Sequence, residues 1–184
     1  SFFGYLLLIT LHASAQAQYW TLCKKNNITW DVNTSSKLPH SDNIEMSGLR
    51  VSGIITYTVG ENKEIFVTSK IIYPQLRVKL KPQDSQWQKY RAYLIRTYSD
   101  SLSPSIKINH VAFRPIANHV EINGTLVINY KSQNGVFVKR TLFPSTIKGL
   151  FIDKYEMTNS TKKNIVVEVT HTDISEVEEG DFGN

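Results

Sequence analysis

The stretch HVEINGTLVINY, residues 119–130, alternates apolar and polar side chains along most of its length. Val120, Ile122, Leu126, Ile128 and Tyr130 share one parity, and polar residues fill most of the other. A period of two residues places the two sets on opposite faces of a β-strand, so the stretch is predicted to be half-buried β-structure. The dipeptide Asn-Gly in its middle, residues 123–124, predicts either a hairpin turn or a bulge.

Six further segments show similar alternation and are separated by turn-forming clusters: Arg50–Val59, Glu64–Tyr73, Ser105–Ile116, Val136–Phe143, Leu150–Thr158 and Asn164–Thr170. Strands of this length at this spacing predict an all-β fold, an antiparallel β-sandwich. Within Ser105–Ile116 the apolar parity changes, which predicts a one-residue bulge near Asn109-His110.

The segment from Trp87 to Tyr98 fits two periods. Large side chains recur at helical spacing, whereas Tyr90, Ala92 and Leu94 alternate as on one face of a strand. Its richness in tyrosine favours the strand.

The two ends differ from the middle of the chain. An apolar run, Phe2–Leu11, precedes the small residues Ala13-Ser14-Ala15-Gln16-Ala17, a pattern typical of a secretory signal peptide, although a buried strand or helix is the alternative. We therefore expect a cleavable signal at residues 1–17, a β domain at 18–174 and an acidic linker at 175–184 that leads to a further domain. Export to the periplasm or the extracellular space follows from this organisation.

The composition limits the kinds of partner and cofactor that we expect for this chain. The 184 residues carry a net charge of +5, but adjacent basic residues occur only in pairs, so no nucleic-acid partner is expected. No stretch reaches the ~18 apolar residues of a membrane span. The single cysteine, Cys23, cannot form an internal disulfide. The histidines lack metal-binding spacing and there is no glycine-rich phosphate loop, so we predict neither a metal nor a cofactor.

Candidate binding residues concentrate near Trp30-Asp31 and in Leu38–Gly48, which reads as an irregular segment leading into the first clear strand. Asp42 and Glu45 could act as the two carboxyls of a glycosidase. Alternatively, Asp42 makes turn hydrogen bonds and Glu45 is a surface charge. We predict that Trp30, His40, Asp42 and Glu45 bind substrate and assign no catalytic residue.

Aromatic residues offer a second indication of a sugar ligand. Flat rings pack against the apolar face of a pyranose, while nearby polar side chains bind its hydroxyls. The candidate rings are Trp20, Trp30, Trp87, Tyr90, Tyr93 and Tyr98. Core or edge packing of a sandwich is the alternative role for the same rings.

Several short runs resemble the N-terminal part of secreted six-hairpin glycosidase-like proteins of Bacteroidetes. They are Trp30-Asp31-Val32, Leu38–Gly48, Tyr73–Arg77, Arg140–Thr146 and Lys154-Tyr155, and Leu38–Gly48 is the most specific. The resemblance implies a β-supersandwich, similar to galactose-mutarotase-like domains, that precedes an (α/α)6 barrel carrying the catalytic carboxylates. Residues 60–63 and 81–88 have no counterpart in it.

The resemblance implies a non-catalytic N-terminal β domain of an exported glycoside hydrolase. Its partners would be carbohydrate and a downstream helical catalytic domain of the same chain, and the Leu38–Gly48 segment would line the sugar pocket. Two alternatives stay open: a free-standing carbohydrate-binding or adhesion module, and a purely structural spacer.

Overall fold

The computed structural model describes residues 19–23, 27–78, 92–171 and 173–175. The predicted signal segment, residues 1–17, lies outside these ranges, and so do Trp87, Tyr90 and all but the first residue of the predicted linker.

The described residues form thirteen β-strands: β1 (Thr21–Leu22), β2 (Ile28–Asp31), β3 (His40–Ser47), β4 (Ser52–Val59), β5 (Ile65–Val78), β6 (Ala92–Ser99), β7 (Ser105–Ile108), β8 (Val111–Ala112), β9 (Ala117–Ile122), β10 (Leu126–Tyr130), β11 (Val136–Pro144), β12 (Phe151–Asn159) and β13 (Val167–Thr170). Two 3-10 turns, Val32–Thr34 and Asp100–Leu102, follow β2 and β6.

All of the strand pairs are antiparallel. Six strands form one sheet in the order β1-β2-β9-β10-β11-β12, and four form a second in the order β3-β4-β5-β6. A small third sheet has the order β13-β7-β8. The predicted all-β, antiparallel sandwich is confirmed.

One core joins the two larger sheets. Across the inner face of the six-stranded sheet, Trp30, Val120, Ile128, Arg140 and Tyr155 stand directly opposite one another on successive strands. The four-stranded sheet contributes a buried set from β4 and β5: Ile55, Tyr57, Val59, Ile65, Val67 and Ile71. Complete burial of one such aliphatic side chain stabilises the fold by about 1.5–3 kcal/mol.

The segment predicted as an irregular lead-in is a strand. β3 pairs with β4 over eight residues, from His40 opposite Val59 to Ser47 opposite Ser52. Its alternation is hidden in the sequence because β3 is the edge of its sheet, so most of its side chains lie in solvent. Ile44 and Met46 are the inward apolar residues, and polar residues hold the inward positions 40 and 42.

The bulge predicted near Asn109-His110 is instead a two-residue turn. Ile108 and Val111 pair directly, and both turn residues have positive φ, 49° and 66°. This is the backbone form that reverses a hairpin most tightly, and it resets the parity as a bulge would. The hairpin alternative is confirmed for residues 119–130, with a three-residue loop between β9 and β10, and β6 confirms the strand alternative from residue 92 onward.

Candidate functional site

Aromatic rings gather at the end of the sandwich where β2 meets the start of β3. The indole of Trp30 is 2% exposed, and its centroid lies 5.5 Å from Tyr19 and 5.1 Å from His40. Trp20 and Tyr57 complete this group, which we call the end cluster. Trp30 therefore packs inside the sandwich, and its ring face is not an open stacking surface.

His40 stands at the start of β3, where the edge strand begins to pair with β4. Its ring stacks on that of Tyr19, with centroids 4.0 Å apart and planes 19° from parallel. Asp42 lies two residues on, on the same parity and directly opposite Tyr57. Trp30, His40 and Asp42, which the sequence predicted together, thus lie at one end of the fold.

Three buried polar atoms of the end cluster have no hydrogen-bond partner among the described residues: Trp30 Nε1, His40 Nε2 and Tyr57 Oη. Leaving such a group unpaired costs about 1–3 kcal/mol. An indole N–H donates a hydrogen bond, and a phenol hydroxyl both donates and accepts. In a neutral imidazole one ring nitrogen donates and the other accepts. The end cluster therefore holds unused capacity for both kinds of hydrogen bond.

Tyr57 was not among the predicted site residues, and its environment is distinctive. Burial raises the pKa of its hydroxyl well above the usual value, the nearby Asp42 carboxylate raises it further, and the Trp20 indole opposes both. The hydroxyl therefore stays protonated at neutral pH and remains able to donate.

A pocket of about 210 Å³ opens beside the end cluster. Tyr19 and Trp30 provide its rings, and Asp31 and Lys37 provide its charges. Four small side chains add hydroxyls: Thr21, Thr34, Ser35 and Ser36. The 3-10 turn after β2 positions this wall, because Asp31 Oδ1 accepts the Asn33 backbone N–H at 2.9 Å.

Glu45 lies apart from the other three predicted residues. It is exposed and stands opposite Ile54 in the β3–β4 pair. Positions 42 and 45 differ by an odd number, so Asp42 and Glu45 project from opposite faces of the strand. The two carboxylates cannot flank one glycosidic bond from this strand.

A second polar site surrounds Arg140, whose side chain is 5% exposed. Its Nε and Nη2 donate to the two carboxylate oxygens of Asp153 at 2.9 and 2.7 Å. Its Nη1 donates to Asp100 at 2.8 Å, and Nη2 also reaches Ser103 Oγ at 3.2 Å. Burial opposes the charge, but the hydrogen bonds and charge of Asp153 outweigh it and raise the pKa of Arg140.

Next to this network a cleft of about 320 Å³ opens between the edge strands β6 and β12, and we call it the edge cleft. Arg140 and Asp153 line it together with the rings of Tyr73, Tyr98 and Phe151. Of these, only Tyr98 was among the rings considered from the sequence.

Sequence reasoning missed Arg140, although a signal was present. In the alternating stretch Val136, Val138, Arg140, Leu142, the arginine occupies an apolar position. A charge at a core position of a strand indicates a buried partner, because an unpaired buried charge is very costly. The partners Asp100 and Asp153 are separated from it by long or turn-containing segments, so their identity needed the fold.

No protein-family model, no curated protein and no solved structure matches this chain. Among the described residues, no helix is long and apolar enough to cross a membrane. The same residues contain no group of three or more His, Cys, Asp or Glu arranged to hold a metal ion.

Proposed function

We propose that this chain is the non-catalytic β domain of an exported glycoside hydrolase and that its end cluster lines a carbohydrate pocket. The downstream part of the parent protein, a helical barrel, carries the catalytic carboxylates in this proposal. The observation that supports it is the set of unpartnered polar atoms on Trp30, His40 and Tyr57, beside a hydroxyl-rich pocket.

The chemistry of that end suits a sugar. Tyr19 offers apolar ring surface to the pocket, Asp31 accepts hydrogen bonds, and Lys37 donates them. A pyranose presents the complementary combination of an apolar face and a ring of hydroxyls. The positive and negative side chains balance, so the pocket favours an uncharged ligand.

The position of β3 supports a lining role. The most specific run of the resemblance, Leu38–Gly48, contains the edge strand β3 and brings His40 into the end cluster. An edge strand has one side free of strand partners, so another domain can pack there without disturbing the core.

A binding experiment tests the carbohydrate part. The chain is titrated calorimetrically with methyl glycosides of glucose, galactose and mannose and with oligosaccharides of the same sugars. Trp30→Phe retains an aromatic ring but removes Nε1–H, and Lys37→Ala removes a donor at the surface. We expect both variants to weaken binding while Phe137→Ala, on the outer face of β11, does not.

Tyr57→Phe separates a binding role from a purely structural one. If the hydroxyl serves a ligand, its removal weakens sugar binding but leaves the free energy of unfolding unchanged or raised, because an unpaired buried group disappears. Failure of every glycan to bind contradicts the proposal.

The parent enzyme is tested by the coding sequence. We expect the reading frame to continue beyond Asn184 into a helical region of barrel size with paired acidic residues. A stop codon at that point favours the free-standing binding module instead, provided that the titrations detect a sugar.

A further inference from the structure

The edge cleft combines exposed aromatic surface with polar groups fixed in place. Tyr73 and Tyr98 project from β5 and β6, and Phe151 projects from β12, so rings from both sheets face the same space. Tyr98 is 40% exposed, a large value for an inward-facing tyrosine of a sandwich. The rings therefore leave accessible surface between the sheets.

Small polar side chains keep the cleft open. Ser69 is buried and directly opposite Tyr98 in the β5–β6 pair, at an inward position where its neighbours Val67 and Ile71 are aliphatic. A serine there fills less space than a valine or isoleucine and adds a hydroxyl to the wall. Ser99 and Ser103 contribute two more hydroxyls to the lining.

The charges of the edge cleft are already engaged. Arg140 gives hydrogen bonds to Asp153, Asp100 and Ser103, so its guanidinium offers little to an anion. Asp153 is 33% exposed and each of its oxygens has a second acceptor site beyond its bond to Arg140. Arg96, on the inward parity of β6 near Tyr73, has interactions of its own.

We propose that the edge cleft is a second carbohydrate site, selective for a neutral sugar. A pyranose would place its apolar face against Tyr98 and give hydroxyl hydrogen bonds to Asp153, with the serine hydroxyls completing its contacts. An acidic sugar finds the exposed carboxylate of Asp153 and no unengaged cation among the described lining residues. The class of ligand rests on the proposed function, but the location does not depend on the end cluster.

The first test locates binding on the whole chain by NMR. A neutral methyl glycoside or oligosaccharide is added to the ¹⁵N-labelled protein. Shifts at the amides of Ser69, Tyr98 and Ser99 support the second site. Shifts confined to the indole of Trp30 and its neighbours overturn the second site but leave the proposed function intact, and the absence of any shift overturns both.

The second test uses variants of the edge cleft that spare the fold. Tyr98→Ala removes a partly exposed ring, and we expect affinity at the cleft to fall about tenfold. Ser69→Val fills the cleft and should abolish binding there, whereas Thr68→Val, on the outer face of the same strand, should leave it unchanged.

The matching uronic acid tests selectivity. We expect at least about tenfold weaker binding than for the neutral sugar, because it approaches the Asp153 carboxylate. Equal affinity for both sugars, or full affinity in Tyr98→Ala and Ser69→Val, overturns the proposal.

Discussion

Arg140 on β11 and Asp153 on β12 form a two-pronged ion pair inside the sandwich, with both carboxylate oxygens bound at 2.9 and 2.7 Å. Asp100 extends the pair toward the other sheet, since its second oxygen accepts the Val67 backbone N–H at 2.7 Å. The guanidinium of Arg140 also lies over the ring of Tyr155, with Cζ 5.2 Å from the ring centroid. One arginine thus connects the two sheets.

Replacing Arg140 by alanine should destabilise the protein by about 3 kcal/mol, because Asp100 and Asp153 lose their common counter-charge. Arg140→Lys should cost less, since it keeps the charge but not the two-pronged geometry. Urea denaturation measures both. The adjacent Lys139→Met is the control: its pair with Glu156 is exposed and screened by water, so the loss should be much smaller. Similar losses at positions 139 and 140 would show that the buried network is not a major source of stability.

Gly53→Ala should disturb the contact between the sheets. A Cβ at this position would lie 2.5 Å from Cε2 of Phe151, so the ring must move. Overpacking of this kind costs about 1–3 kcal/mol. Gly60→Ala, where the nearest atom is 3.7 Å away, is the matched control and should lower the melting temperature less. Since Phe151 also lines the edge cleft, Gly53→Ala should weaken sugar binding there as well.

A side chain at Gly135, in the turn before β11, should collide with Thr161. Gly135 has φ +78°, and a Cβ there would lie 2.2 Å from Thr161 Cγ2. Gly124 has a similar φ, +86°, with open space around it. Gly124→Ala should therefore cost about 1 kcal/mol from backbone strain alone, and Gly135→Ala distinctly more.

Thr161→Ser removes the methyl group that meets the new Cβ but keeps the hydroxyl that donates to Asn159. In a double-mutant cycle it should recover most of the difference between Gly135→Ala and Gly124→Ala. Purely additive losses would contradict the collision.

Stability should fall in alkaline solution. Burial raises the pKa of Tyr155 to about 12 despite the opposing charge of Arg140, and burial also raises the pKa of Tyr57 and Tyr130. Between the ordinary tyrosine pKa of about 10 and these raised values, the unfolded chain releases protons that the folded chain retains. These tyrosines therefore add no pH dependence below that window, and the free energy of unfolding decreases as pH rises through it.

Denaturant titrations across this pH range measure the decrease. Tyr155→Phe should make it shallower, since one group no longer contributes. An equal slope in the wild type and in Tyr155→Phe would contradict the assignment to buried tyrosine.

Period-two alternation was a reliable guide wherever one face of a strand is buried and the other is in solvent. β4, β10 and β11 show this pattern in full, and the sequence predicted each of them. It failed for β3, because an edge strand with polar residues at its inward positions 40 and 42 carries no such contrast. The Asn109-His110 turn was misread because a tight turn and a bulge both reset the parity.

The candidate site was likewise predicted in part from the sequence and in part only by the fold. The sequence placed Trp30, His40 and Asp42 in one functional region, and they lie at one end of the sandwich. Glu45 lies outside that region, because His40–Ser47 is a strand and alternate residues of a strand project to opposite faces. Tyr57 belongs to the same region because the register of β3 with β4 places it opposite Asp42, and no local sequence pattern reveals that register.

The sequence by itself determined the class of the fold and most of its strands, because these depend on contacts between near neighbours and on the contrast between buried and exposed faces. The tertiary structure decided which strands meet and therefore which polar groups do. Arg140 and Asp100 are 40 residues apart, and the rings of the edge cleft come from both sheets. Such groups meet only when distant strands pair and the sheets pack, so pairing and packing created the edge cleft and completed the end cluster.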